Sequence, residues 1–471
     1  MTRPRPEAVL LLRAAAYGLL GEACGSTPPI PPSQPAVTNP SSGATAPTAA
    51  ADPASPPVSE PSRQARLIEK MLRRVELVRG LKAVRPVPGA LLDRDALIAR
   101  VKEHVAKELP PEAIRNEGSV LQLLGFLPTR FDYQEAEYRL LQEQLAGYYE
   151  PADGTMYLAS DLGDDDAEAT LAHELVHALQ DQHWDLERRS KYHPGQGDSS
   201  EAFSALAEGD ATSAMFDVMI ARAAPGSGKT AVDVPDDVFT EQILSGMSTG
   251  SSATAPHVMR VSLAAPYIYG TLFVHALRRQ AGWNEVDKAW DDPPTTTEQI
   301  MHVDKWRSHE PPIPVAAPPY ATLGPGWTVT DEDSEGELGT RIAYEEWMPS
   351  KQAAEASAGW GGDRGVLVVN GARAAFAWRL RYDPGKTKDD LAVRAFAALA
   401  AALGDPAKKP GQGEFLCEER PDRGPLAIAR AGADLVITVG PATAPSHGVW
   451  TSDGTCAVAR KWTREIAAAA R

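Results

Sequence analysis

Apolar and polar positions follow helical spacing along most of the first 300 residues. Over 63–84 and 93–109 apolar residues recur every three or four positions, and Ile68, Met71, Leu72 and Val75 share one stripe. Two amphipathic helices are predicted there. Leu140, Leu141, Leu145 and Tyr148 extend the same pattern over 134–149. Pro151-Ala152-Asp153-Gly154 is turn chemistry, after which 155–159 reads as a short strand. Helical spacing returns at 167–184, behind the acidic cluster Asp164 to Asp166, which suits the positive end of a helix dipole. Further helices are expected at 200–222 and 263–280, with 223–237 as loop. A helical stretch at 287–300 is interrupted by Asp292-Pro293-Pro294.

Beyond residue 310 the pattern changes. Prolines crowd 311–325, and strand-like runs follow at 366–369, 375–382 and 435–439, with a helix at 389–403 among them. No internal repeat is present. The predicted fold class is α+β: a mainly helical lobe at 63–310 with a short edge strand, a linker at 311–330, and a smaller α+β lobe at 331–471.

Composition changes this picture mainly at the N-terminus. At 471 residues, two or three domains are expected, and 43% hydrophobic residues suffice for a real core. The net charge of -16 argues against a nucleic-acid partner, which would require a basic face. Residues 1–25 look like a secretion signal: Arg3 and Arg5 precede apolar runs at 8–12 and 14–20, and small residues precede Cys24. Arg13 interrupts the apolar run, and Gly21 stands where a lipobox usually has leucine. Residues 26–62, rich in Pro, Ser, Ala and Thr, cannot bury enough apolar surface to order themselves and read as a tether. A signal, a cysteine and a tether together predict an exported, lipid-anchored bacterial envelope protein, attached to the membrane through Cys24. That leaves Cys417 and Cys456 either as one disulfide in an oxidising compartment or as two buried thiols.

The chemistry concentrates at His173-Glu174-Leu175-Val176-His177. Histidines four residues apart on a helix project from one face toward a common point. A catalytic zinc takes three protein ligands and leaves one position open. Glu174, beside that face, is placed to take a proton from an attacking water. A third ligand is needed. His183 stands ten residues after His173, the metzincin spacing, but Gln180 occupies the position where those enzymes turn the chain with glycine. On an unbroken helix His183 would lie roughly 15 Å along the axis from His173. Glu208, in Ala207-Glu208-Gly209-Asp210-Ala211 on the next helix, is the better candidate, with Glu201 and Asp210 as fallbacks. Asp210 or Asp181 could instead orient a ligand imidazole.

The stretch ELVHALQDQHWDL at 174–186 resembles a family of bacterial secreted or lipid-anchored HExxH proteins of the gluzincin, thermolysin-like type. The resemblance extends to EQLAGYYEP at 143–151, AEGDA at 207–211, Pro266-Tyr267 with Gly270, PTTTEQIMH at 294–302 and WGGDR at 360–364, in scattered blocks over 121–381. Val303 departs from the proline expected after that histidine. The resemblance implies a zinc site with His173, His177 and Glu208 as ligands and Glu174 as general base, and hence peptide hydrolysis. It does not supply a substrate.

An edge strand at 155–159 would pair with extended substrate. Tyr267, Tyr269 and His302 are candidates for stabilising the oxyanion, while His257 and His275 read as structural. The rival reading is a non-catalytic envelope protein that keeps a gluzincin fold as a binding module. A structural zinc is disfavoured, since no cysteine lies near the helix. Pro225-Gly226-Ser227-Gly228-Lys229-Thr230 ends like a phosphate-binding loop but follows a helix and lacks the first glycine, with Ala223 in its place.

Overall fold

The computed structural model describes residues 63–161, 164–246, 254–385, 391–404, 414–444 and 449–469. The expected signal segment, Cys24 and the tether lie outside them. The chain is a mixed α+β protein, helical first and β-rich last. None of the described helices is long and apolar enough to cross a membrane.

The first helix, Arg63–Arg79, buries Ile68, Met71 and Val75 and stops at Gly80, whose φ of 80° suits glycine. Asp93 caps the next, Arg94–Glu108, by accepting from the Ala96 amide. A helix that periodicity did not predict, Pro111–Leu124, starts on a proline and ends at Gly125 in the left-handed region. The helix expected to run to residue 149 ends at Gln144. Tyr148 and Tyr149 instead belong to a strand. Aromatic β-formers beside a Pro-Ala-Asp-Gly turn make a hairpin, and Gly147 lets the backbones meet, since a Cβ there would lie 2.7 Å from the Tyr157 carbonyl.

Three strands form the small sheet: β1 (Gly89–Leu92), β2 (Gly147–Glu150) and β3 (Thr155–Ala159). Its order is β1-β3-β2, with β1 parallel and β2 antiparallel to β3. The strand expected as an edge is therefore the central one. β1, only four residues long, covers its far side, and the edge next to the histidines is β2.

Four long helices surround the site. The histidine helix, Asp164–Trp184, packs on Arg63–Arg79 and on Gly197–Ala223, which in turn lies along His257–Ala281. The last two touch main chain to main chain. A Cβ at Gly270 would lie 1.8 Å from the Ala205 carbonyl oxygen, and one at Gly209 would lie 2.0 Å from the Gly270 carbonyl carbon. Small residues through Ala205, Ala207 and Ala211 allow that approach.

The last lobe is one antiparallel sheet built from β4 (Thr328–Asp333), β5 (Trp360–Asn370), β6 (Arg373–Tyr382), β7 (Phe415–Glu418), β8 (Leu426–Ala431) and β9 (Asp434–Thr443). The order is β4-β5-β6-β9-β8-β7, and a short β10 (Thr451–Ser452) pairs with β9. β4 begins inside the stretch expected as linker. Its sequence reads as polar because Asp331 and Asp333 are buried acids. A disulfide joins Cys417 on β7 to Cys456 at the start of the last helix, Cys456–Ala468, with Cα atoms 5.8 Å apart.

The two lobes share a core. One continuous cluster includes Leu97, Leu121 and Leu124 from the first lobe together with Leu367, Trp378 and Ile437 from the sheet. Arg420 donates to the Leu123 and Leu124 carbonyls, and Trp450 donates to the Gln122 side chain.

Two outcomes follow for stability. Gly270→Ala forces the helix pair apart and is expected to cost at least about 3 kcal/mol, read as a lowered denaturation midpoint. Replacing both Cys417 and Cys456 by serine frees a loop spanning 39 residues and should cost roughly 3–4 kcal/mol in the same measurement.

Candidate metal centre

His173 and His177 lie one turn apart on the buried face of the histidine helix, and Glu208 meets them from Gly197–Ala223. The Nε2 atoms of the two histidines are 3.0 Å apart, and Glu208 Oε2 lies 3.1 Å from His173 Nε2 and 3.7 Å from His177 Nε2. Two imidazole nitrogens and one carboxylate oxygen thus converge, all within 4.8 Å of one another, and all three residues are buried. Such a donor set could hold a metal ion.

The electrostatics fit a cation. Burial pushes the His173 imidazole below its usual range, toward the neutral form a metal ligand needs. Burial would raise the Glu208 carboxyl, but hydrogen bonds and charge from His173 and His177 outweigh it and hold the group below the ordinary carboxylate range. The result is a buried carboxylate whose nearest polar partners are the two imidazoles. A carboxylate in that position requires a nearby positive charge, and a metal ion would provide it.

Glu174 is fully buried between the histidines in sequence. Its Oε2 accepts from the Tyr149 amide at 2.8 Å, whereas Oε1 is buried with no hydrogen-bond partner. Burial raises its carboxyl well above the usual range. That is the state of a group suited to taking up a proton, with one oxygen pinned and the other available. Tyr149 is held twice by the same helix, since its hydroxyl donates to Asp181 at 2.9 Å. Arg85 also donates to Asp181. Asp181 therefore clamps the edge strand and does not orient a ligand imidazole.

Gln180, which the sequence offered only as a departure from the metzincin pattern, is fully buried against His177, with Oε1 2.7 Å from Nδ1. Behind it Asp210 accepts from Arg79, Trp290 and Gln180. Arg79 was hidden in the sequence as the last residue of an amphipathic helix. It is fully buried, ion-paired with Asp210 and Asp287, and stacked over the Trp283 ring.

The remaining candidates divide. The Tyr267 ring lies 6.0 Å from that of His173, centroid to centroid, so the structure brings it to the site. Tyr269, two positions on, turns away: Arg341 lies over its ring, and burial pushes its hydroxyl up to about 12. His302 pairs with Glu337 instead, Nε2 to Oε2 2.9 Å. His183 is exposed at the helix end, bonded to the Lys82 carbonyl, on a helix that continues unbroken to Trp184. Glu201 is half-buried, about two helical turns before Glu208. His257 pairs with Glu346, and His275 packs on Phe239. The loop at Gly226 and Gly228 is an exposed inter-helix turn.

A family model described as a domain of unknown function (DUF8575) matches residues 326–449, which hold most of the C-terminal sheet and neither the histidine helix nor Glu208. No curated protein matches the chain. Among solved structures, a candidate hydrolase with a novel fold from Chloroflexus aurantiacus is 17% identical over 54% of this chain and 92% of its own, with a TM-score of 0.31.

The clamp gives a direct expectation. Tyr149→Phe removes one buried hydrogen bond to Asp181 and should cost about 1 kcal/mol in denaturant midpoint, while leaving metal affinity unchanged.

Proposed function

We propose that the chain is a zinc-dependent peptidase of the gluzincin type, exported and anchored at the bacterial cell envelope. The observation that carries the reading is the convergence of His173, His177 and Glu208 beside a buried carboxyl, Glu174, that has one oxygen without a partner. Zinc held by these three residues would act as a Lewis acid toward the scissile carbonyl and the attacking water. Glu174 takes the proton of that water as the new C–O bond forms. It then gives the proton to the leaving nitrogen as the C–N bond breaks, so the proton count closes. The raised basicity that burial confers on Glu174 suits both halves of that transfer.

Tyr267 is the residue best placed to donate to the developing oxyanion, because its ring lies against His173. His302 does not share that placement. β2 is the edge on which an extended peptide would pair, in place of the strand at Thr155–Ala159. The Cys417–Cys456 disulfide supports an oxidising compartment, in keeping with export.

The test is zinc content and peptide-library cleavage for residues 63–471. One zinc per chain is expected, lost in His177→Ala and in Glu208→Ala. At a free zinc concentration one hundred times Kd, the wild type should gain about 2.7 kcal/mol of stability, and Glu208→Ala should gain almost none. Glu174→Gln should keep the metal and lose at least about a hundredfold in cleavage rate. A wild type that binds zinc and cleaves nothing would favour the non-catalytic binding module, and one that binds none would end the metallopeptidase reading.

A further inference from the structure

The amide of Gln180 has only one orientation compatible with its surroundings. Its Nε2 lies 3.0 Å from the Ala207 carbonyl oxygen and 3.2 Å from Asp210 Oδ2, and both of these accept hydrogen bonds only. Turning the amide over would set its oxygen against two oxygens, one of them charged. Gln180 Oε1 therefore faces His177 Nδ1 at 2.7 Å, and an amide oxygen cannot donate. The proton between them belongs to His177 Nδ1. A neutral His177 then has a bare Nε2, and this atom is the one that converges with His173 Nε2 and Glu208 Oε2.

The amide orientation is itself enforced from behind. Asp210 Oδ1 accepts from Arg79 Nε at 2.6 Å, and Oδ2 accepts from Arg79 Nη2 at 3.1 Å and from the Trp290 indole at 2.8 Å. These bonds fix the carboxylate in place against the fully buried guanidinium. Four side chains from three helices thus form one connected series that converges on Asp210: His177 donates to Gln180, Gln180 donates to Asp210, and Arg79 donates to Asp210 from the other side.

We infer that Gln180 is a positioning residue, held by Asp210 and Arg79, which locks His177 in the Nδ1–H tautomer and keeps its Nε2 lone pair on the metal-binding point. The consequence for metal affinity rests on the zinc reading, while the tautomer does not. Orienting partners of this kind typically change metal affinity by ten- to hundredfold.

The experiment has two arms on residues 63–471. In the first, metal-free protein with 15N-labelled histidine is examined by long-range 1H–15N correlation, with His177→Ala to assign the resonance. The wild-type His177 signal should show the Nδ1–H pattern, and Gln180→Met, which keeps volume without the hydrogen bonds, should shift it toward the Nε2–H form. In the second, zinc affinity is measured by competition with a chromogenic chelator, and Gln180→Met should bind ten- to hundredfold more weakly than wild type. A wild-type Nε2–H tautomer would overturn the inference even if Gln180→Met failed to fold, and so would an unchanged zinc affinity in a folded Gln180→Met. If the wild type bound no zinc yet showed the Nδ1–H tautomer, the peptidase reading would fail and the positioning role of Gln180 would stand.

Discussion

Where Gly209 and Gly270 meet, two long helices lie with main chain against main chain, and the candidate metal site depends on that contact. Glu208 precedes Gly209, so the approach of its carboxylate to the two histidines is set by backbone position and not by a flexible stem. One added methyl would push the helices apart by more than a hydrogen-bond length tolerates. Interiors pack too densely to absorb such a shift locally, so it would be felt at the carboxylate. The run of alanines around Gly209 serves the same geometry, leaving room for the histidine helix on one side and the helix carrying Tyr267 on the other.

The same small region buries three carboxylates, and each is treated differently. Asp210 has a guanidinium and an indole, so its charge is matched within the protein. Glu174 has one backbone amide, and burial raises its carboxyl well above the usual range. Glu208 keeps its charge against two histidines, one of them, His173, pushed by burial toward neutrality. A paired anion, a carboxyl raised by burial and a carboxylate held beside two imidazoles are three different states in one small region. They arise here from differences in neighbours alone.

Much of this was readable from the chain, and the limits have physical causes. The histidine pair and Glu174 are local, set by helical periodicity, so sequence spacing places them correctly. Glu208 was reachable because consecutive long helices close into a hairpin. Arg79 and Gln180 were not read as parts of the site. Arg79 occupies what looks like an ordinary basic helix end, and its burial is created by Asp210, 131 positions away. Gln180 is distinguished by what lies across from it, which periodicity cannot reveal. Tyr148 and Tyr149 match helical spacing by coincidence, and turn formation after Glu150 decides for a strand. The β-branched runs of β5 and β9 and the aromatics of β6 stand out by composition, whereas alanine-rich β8 and acidic β4 do not.

The core common to both lobes has a kinetic meaning. Enzymes with a two-lobed plan often admit substrate by swinging one lobe against the other, and the cost of that motion is low only where the interface is thin. Here apolar side chains from Pro111–Leu124 are built into the face of the sheet, and arginine and tryptophan donors stitch the seam. Rigid-body swinging would tear a contiguous interior. In the proposed peptidase, entry to the buried trio would come from small-amplitude loosening around β2 or the helix bearing Tyr267, and turnover would be coupled to how often those segments breathe.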